Sequence, residues 1–130
     1  MIVVDASALL EALLRTPAAR AVEERLFEPQ QTLHAPHLLD IEVAQVIRRY
    51  AAKGEIDSER GRAALADLAD FPFRRYPHDF LLPRVWDLRN NLTAYDAVYV
   101  ALAEALDAPL LTRDQRLAAA AGHHARVELV

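Results

Sequence analysis

Short apolar runs rich in β-branched residues alternate along this chain with longer stretches of helical period, and that alternation restricts the fold more than any other feature. Residues 1–4, 32–35, 73–76, 109–112 and 126–130 read as strands, and the intervals between them carry helical patterns. Connections of this length do not make hairpins. They return the chain to the same end of the sheet and give βαβ units with parallel pairing. The expected architecture is a three-layer α/β/α sandwich with a mostly parallel central sheet. With 130 residues, no repeat and no Gly/Ser linker, the chain reads as one domain over residues 1–130. A domain of that size buries about 68–70% of the surface its unfolded chain exposes, so it sustains a core without disulfides or a zinc clip.

Helix boundaries are marked by residues with known end preferences. Residues 6–14 place Leu9, Leu10, Leu13 and Leu14 at helical spacing. Thr16 and Pro17 read as N-cap and first-turn residues of a helix over 18–27 containing Val22 and Leu26. Residues 38–53 form the longest amphipathic segment, with Leu39, Val43, Val46, Ile47 and Tyr50 on one stripe and Gly54 just beyond. A helix over 58–69 opens at Asp57, and one over 82–90 accommodates Pro83 in its first turn. Another starts at Thr93 and buries Ala97, Val98, Val100, Ala101, Leu102 and Ala105, and residues 114–121 form a short last helix.

The charge is slightly acidic, with 15 basic and 19 acidic side chains for a net −4. Lys53 is the only lysine, so the other basic residues are arginines, whose planar forks bind phosphate bidentately where they cluster. A net negative charge therefore does not exclude a nucleic-acid partner. The absence of cysteine removes thiol catalysis, Cys-ligated zinc and iron–sulfur clusters. The longest apolar run, residues 97–103, is far short of the roughly 20 residues that span a bilayer, and no targeting signature precedes Ile2. The expectation is a soluble, cytoplasmic protein with no membrane partner.

In open α/β sheets, ligands bind beyond the carboxyl ends of the strands. Asp5 follows the first strand and Asp114 follows the strand ending at Thr112, so both belong to that edge. Glu42 lies one turn into the long helix, and Asp96 lies in the first turn of the helix opened by Thr93. Spacing alone does not bring these last two to the edge. Each acid also has an ordinary explanation. Asp5 and Asp114 suit helix N-caps, Asp96 completes a Thr-x-x-Asp capping box, and Glu42 suits an early helical turn. Against this, Glu42 sits between Ile41 and Val43, and Asp96 is flanked by Tyr95, Ala97 and Val98. Carboxylates set in apolar runs are costly unless paired or metal-bound. Converging carboxylates need arginine or a metal ion as countercharge. Oxygen-only ligation selects Mg²⁺ or Mn²⁺, which suits phosphodiester hydrolysis by activating water.

The segments Ile2-Val3-Val4-Asp5-Ala6-Ser7-Ala8-Leu9, Ile41-Glu42-Val43, Leu92-Thr93-Ala94-Tyr95-Asp96-Ala97-Val98-Tyr99-Val100-Ala101-Leu102-Ala103 and Leu110-Leu111-Thr112-Arg113-Asp114 together resemble a PIN-domain ribonuclease. More narrowly they resemble the VapC-type toxins of VapBC toxin–antitoxin pairs. The resemblance implies an endoribonuclease in which Asp5, Glu42, Asp96 and Asp114 hold Mg²⁺ or Mn²⁺, with Asp5 and Asp96 as the most direct ligands. It implies that Ser7 and Thr112 orient these carboxylates. It also implies a homodimer and a VapB-type antitoxin whose C-terminal segment blocks the acidic groove. Some relatives carry a further acid shortly after the position of Asp114; Gln115 and Arg116 stand there in this chain, so one ion is expected.

An RNA substrate needs phosphate contacts at the groove rim. Arg113 and Arg116 are nearest in sequence to the acids, and Arg48, Arg49 and Lys53 follow Glu42 on its helix. Other functions fit the same fold. A receiver-like phosphoacceptor needs a lysine at the end of its last strand, whereas Lys53 lies in a helix. A phosphatase using an Asp-x-Asp pair lacks its second acid at Ser7. A non-catalytic binding module would tolerate loss of one or more of the four acids, and all are present.

Overall fold

A computed structural model describes residues 1–130. Five strands, β1 (Ile2–Val4), β2 (Leu33–Pro36), β3 (Phe73–Tyr76), β4 (Leu110–Thr112) and β5 (Val127–Leu129), form one sheet in the order β3-β2-β1-β4-β5. Every neighbouring pair is parallel. The expected mostly parallel sheet is thus wholly parallel. Helices α1 (Ala6–Leu13) and α2 (Ala19–Leu26) join β1 to β2, and α3 (Leu38–Ala52) and α4 (Ser58–Asp70) join β2 to β3. A 3₁₀ turn (Asp79–Leu81), α5 (Leu82–Asp87) and α6 (Ala94–Leu106) lead back to β4, and α7 (Gln115–Ala119) precedes β5.

Helices α1 to α4 pack among themselves, as α5 does with α6, and right-handed crossovers place these two sets on opposite faces of the sheet. The core is built from β1, which is wholly buried, the apolar faces of α1 and α3, and a run along α6 from Ala97 to Ala103. No helix is long and apolar enough to cross a membrane.

Several local expectations are corrected. Thr16 does not cap α2: its hydroxyl donates to the Glu11 carboxylate, and the N-cap position falls on Ala18 with no side-chain bond. Helix α5 stops at Asp87, short of residue 90, because the chain turns there to bury Leu88 and Leu92. Ala105 is exposed, while Tyr99 and Ala103 join the core. The stripe on α3 divides in two: Leu39, Val43 and Ile47 face the core, while Val46 and Tyr50 face a cavity.

The sense in which the connections step across the sheet reverses between β1 and β4. From β1 the connections step toward β3, and from β4 they step toward β5. This is the switch point at which a crevice opens beyond the carboxyl ends. Asp5 immediately follows β1, and Asp114 lies just past β4.

Candidate active site

Asp5 is fixed from three directions. It ends β1 and caps α1, its Oδ1 accepting from the Ala8 N–H at 3.0 Å and from the Ser7 hydroxyl at 2.7 Å. The Thr112 hydroxyl, wholly buried at the end of β4, donates to Oδ2 at 2.6 Å. The Asp114 N–H donates to that same Thr112 oxygen at 3.0 Å, and the Arg113 N–H donates to Ser7 Oγ at 2.9 Å. Ser7 and Thr112 therefore tie β1 to β4 through a carboxylate that is only 6% exposed.

Glu42 comes from α3 and Asp96 from the first turn of α6. Glu42 Oε1 accepts from the Tyr99 hydroxyl at 2.6 Å. Thr93 caps α6 by accepting from the Asp96 N–H at 3.2 Å, but the capping box is left half made. The Asp96 carboxylate does not return to the Thr93 N–H; it lines the cavity instead. Asp114 caps α7, its Oδ1 accepting from the Arg116 and Leu117 N–H groups at 2.9 and 3.4 Å.

All four acids line one open cavity of about 780 Å³. Burial raises the pKa of Asp5, Glu42 and Asp96 above the ordinary carboxylate values, the hydrogen bonds they accept offset part of that rise, and the nearby carboxylates add to it. Asp96 raises both Asp5 and Glu42, and Asp114 raises Asp96. No arginine or lysine forms an ion pair with Asp5, Glu42 or Asp96; the nearest approach is Arg116, 94% exposed, at 4.0 Å from Asp114. Elsewhere the chain pairs its acids. Asp40, two residues before Glu42, is gripped by Arg75 at 2.8 and 3.0 Å. Asp5, Glu42 and Asp96 thus gather negative charge that no ion pair within the chain offsets, although Arg49 and Arg113 stand on the same cavity wall.

The donor set fits a hard divalent ion. Asp96 has no basic side chain paired with it, and only one oxygen each of Glu42 and Asp114 is engaged by the chain, Oε1 by Tyr99 and Oδ1 by the N–H groups of α7. No three Asp, Glu or His side chains form a ready-made cage. A bound Mg²⁺ would therefore complete its shell with water, as that ion ordinarily does.

The arginines separate. Arg49 and Arg113 line the cavity, Arg49 standing seven residues and two turns beyond Glu42 on the same face of α3. Arg113 is anchored, its Nη1 donating to the Val130 carbonyl at 2.7 Å with Glu11 at 3.8 Å. Arg116 caps no pocket wall and is solvent-exposed. Arg48 and Lys53 do not line the cavity: one helical step turns Arg48 off the face of Arg49, and Lys53 lies at the end of α3. Sequence reasoning missed Tyr99, Glu11 and Tyr95, all on the cavity wall. Tyr99 was legible in principle, since it follows Asp96 by three residues and carries the one hydroxyl in an otherwise apolar stretch.

A family model for the PIN domain matches residues 2–123. The chain belongs to the PIN-domain family. Within it, two relatives from Mycobacterium tuberculosis stand close: Ribonuclease VapC1 is 48% identical, covering 98% of this chain and 96% of the relative. Ribonuclease VapC12 is 43% identical, covering 100% of this chain and 99% of the relative. The chain is therefore a VapC-type PIN protein. Among solved structures, VapBC2 from Rickettsia felis, bound to a promoter DNA fragment, superposes with a TM-score of 0.73 at 14% identity, covering 99% of this chain and 98% of that one, and it supports the fold.

Proposed function

We propose that residues 1–130 act as one PIN domain, the toxin of a VapBC-type pair: an endoribonuclease that depends on Mg²⁺ or Mn²⁺ and hydrolyses RNA phosphodiesters. The observation that carries this reading is the cavity in which Asp5, Glu42 and Asp96 meet without ion-pair partners, in a chain whose close relatives are named ribonucleases. Asp5, Glu42, Asp96 and Asp114 hold the ion, with one ion expected because Gln115 and Arg116 supply no further acid. When bound, that ion activates water and neutralises charge developing on the phosphate.

The chain's own groups do the rest. Ser7 and Thr112 orient Asp5 by donating to both of its oxygens, and these bonds work against the upward push of burial on its pKa. Arg49 and Arg113 flank the acids and hold the phosphates on either side of the scissile bond, Arg113 in a fixed pose and Arg49 free to follow the backbone. The solvent-exposed Arg116 adds long-range attraction. The antitoxin partner fits the same cavity, because the exposed Ile41 and Tyr95 on its wall offer apolar contact beside carboxylates that accept an inserted arginine. A homodimer is supported by Leu82 and Trp86, exposed one helical turn apart on α5 beside the exposed Phe80. Both partners and the substrate belong to the cytoplasm.

Purified, antitoxin-free protein is expected to cut RNA in Mg²⁺ or Mn²⁺, to stop in EDTA, and to lose about 100-fold or more in kcat/KM on Asp96→Asn. Wild type that cuts no RNA with either ion, or Asp96→Asn that matches it, defeats the reading.

A further inference from the structure

We propose that Tyr99 is a positioning residue: its hydroxyl, reaching from one helical layer to the other, fixes Glu42 so that a single oxygen of that carboxylate faces the cation. The inference rests on the reading of the cavity as a cation-dependent nuclease site. Tyr99 belongs to α6 and Glu42 to α3, on opposite sides of the sheet, and their 2.6 Å bond is the only side-chain hydrogen bond joining those two helices.

The tyrosine is placed for this task. It is 1% exposed, so its ring satisfies the core as a phenylalanine would, yet its hydroxyl lies on the cavity wall. Asp96 and Tyr99, three residues apart, share one face of α6, while Ala97, Val98, Val100 and Ala101 between and beyond them are buried. A buried phenol has one proton to give and needs a partner for it. Facing a carboxylate, which can only accept, the phenol is the donor of this bond. Its partner could have been a backbone carbonyl; it is a carboxylate that no arginine or lysine neutralises.

The consequence for Glu42 is geometric. Its carboxylate sits at the end of a three-torsion side chain on a half-buried helical face, beside the exposed Ile41. With Oε1 held by Tyr99, Oε2 is the oxygen left without a partner in the chain, on a side chain that lines the cavity with Asp96 and Asp5. Asp5 receives the same service from Ser7 and Thr112, and Asp114 from backbone N–H groups. Tyr99 completes the set by doing for Glu42 what the hydroxyls of β4 and α1 do for Asp5.

Groups that orient a metal-binding side chain typically affect affinity by about 10–100-fold when removed. The test titrates Mn²⁺ into RNA-free protein and follows the free ion by electron paramagnetic resonance, for wild type, Tyr99→Phe, Glu42→Gln and the double variant. Tyr99→Phe is expected to bind Mn²⁺ about 10-fold more weakly. The double variant is expected to bind no more weakly than Glu42→Gln alone, because the hydroxyl acts through that carboxylate. In RNA cleavage, Tyr99→Phe should raise the Mn²⁺ concentration needed for half-maximal rate while recovering most of kcat at saturation. Melting in EDTA checks that the variant is folded. If it is not, Glu42→Asp replaces it, a charge-preserving change that withdraws the carboxylate from the hydroxyl and is expected to weaken Mn²⁺ binding by a similar factor. Tyr99→Phe binding like wild type, or the two substitutions acting independently in the double variant, overturns the role of Tyr99 alone. A wild type that binds no Mn²⁺ and cuts no RNA overturns the nuclease reading and this inference with it.

Discussion

Asp96 and Glu104 stand two turns apart on α6, and the protein treats them in opposite ways. Glu104, 6% exposed, is held by Arg84 at 2.8 and 2.9 Å and by the His124 ring at 2.8 Å and its N–H at 3.0 Å. These partners, Arg84 above all, lower its pKa. Asp96 has no such partner; burial and the neighbouring Asp114 raise its pKa. One acid clips α5 and the segment before β5 onto α6, and its charge is spent inside the fold. The other is left with its charge available at the strand ends. Both acids lose water contact, and what separates them is the paired cation, present at Glu104 and absent at Asp96.

Removing each acid should therefore have opposite effects on stability. Glu104→Gln breaks a charge-assisted pair and leaves Arg84 without its anion, and is expected to cost about 1–2 kcal/mol, seen as a melting temperature a few degrees lower. RNA cleavage per folded molecule should be unchanged. Asp96→Asn removes an unneutralised charge and is expected to stabilise the ion-free protein by up to about 1 kcal/mol in EDTA at neutral pH. A stabilising Glu104→Gln or a destabilising Asp96→Asn would erase the contrast.

The same division runs through the cations. Arg25, Arg75 and Arg84 are committed to Glu28 and Glu128, to Asp40 and to Glu104, whereas Arg49 lines the cavity without an ion pair. Arg49→Ala is expected to weaken RNA binding about 3–10-fold and to reduce its salt slope by about one, as for a lost phosphate contact. Arg48→Ala, one step around the helix, should change binding less than about twofold. Filter-binding across a salt series separates the two.

The smallest expected effect is in the pH dependence of melting in EDTA. The contribution of Asp96, whose pKa is raised in the folded state above 3.8, is fully present below that value and lost as pH rises through the raised one. The contribution of Glu104, whose pKa is lowered from 4.5, is present above 4.5 and lost as pH falls through the lowered one. Both variants should thus approach wild type in acid and diverge in opposite directions toward neutrality.

The parallel sheet was legible because strand runs and helical periods alternate, and Asp5 and Asp114 were legible because they follow strands. Glu42 and Asp96 were not placed by spacing, since their convergence depends on helices from opposite layers meeting at one switch point. The family resemblance supplied what periodicity lacked. Thr16 misled because a hydroxyl before proline satisfies a capping rule, yet here a nearer acceptor, Glu11, takes it. Arg48, Arg49 and Lys53 looked alike as a charged run, and only the rotation of α3 selected Arg49. Tyr99 was hidden by its company, a polar atom at the tip of a side chain that otherwise counts as core.

Asp5 is at once the end of a strand, the cap of a helix and a wall of the cavity. Lineages escaping the harm of such a chain consequently have two unequal mutational exits. Loss of Asp5 abolishes three hydrogen bonds, the helix cap among them, and would leave a less stable chain exposed to degradation. Loss of Asp96, which caps nothing, leaves the fold's own bonds in place, so under the proposed function it would yield a sturdy, silent copy that persists.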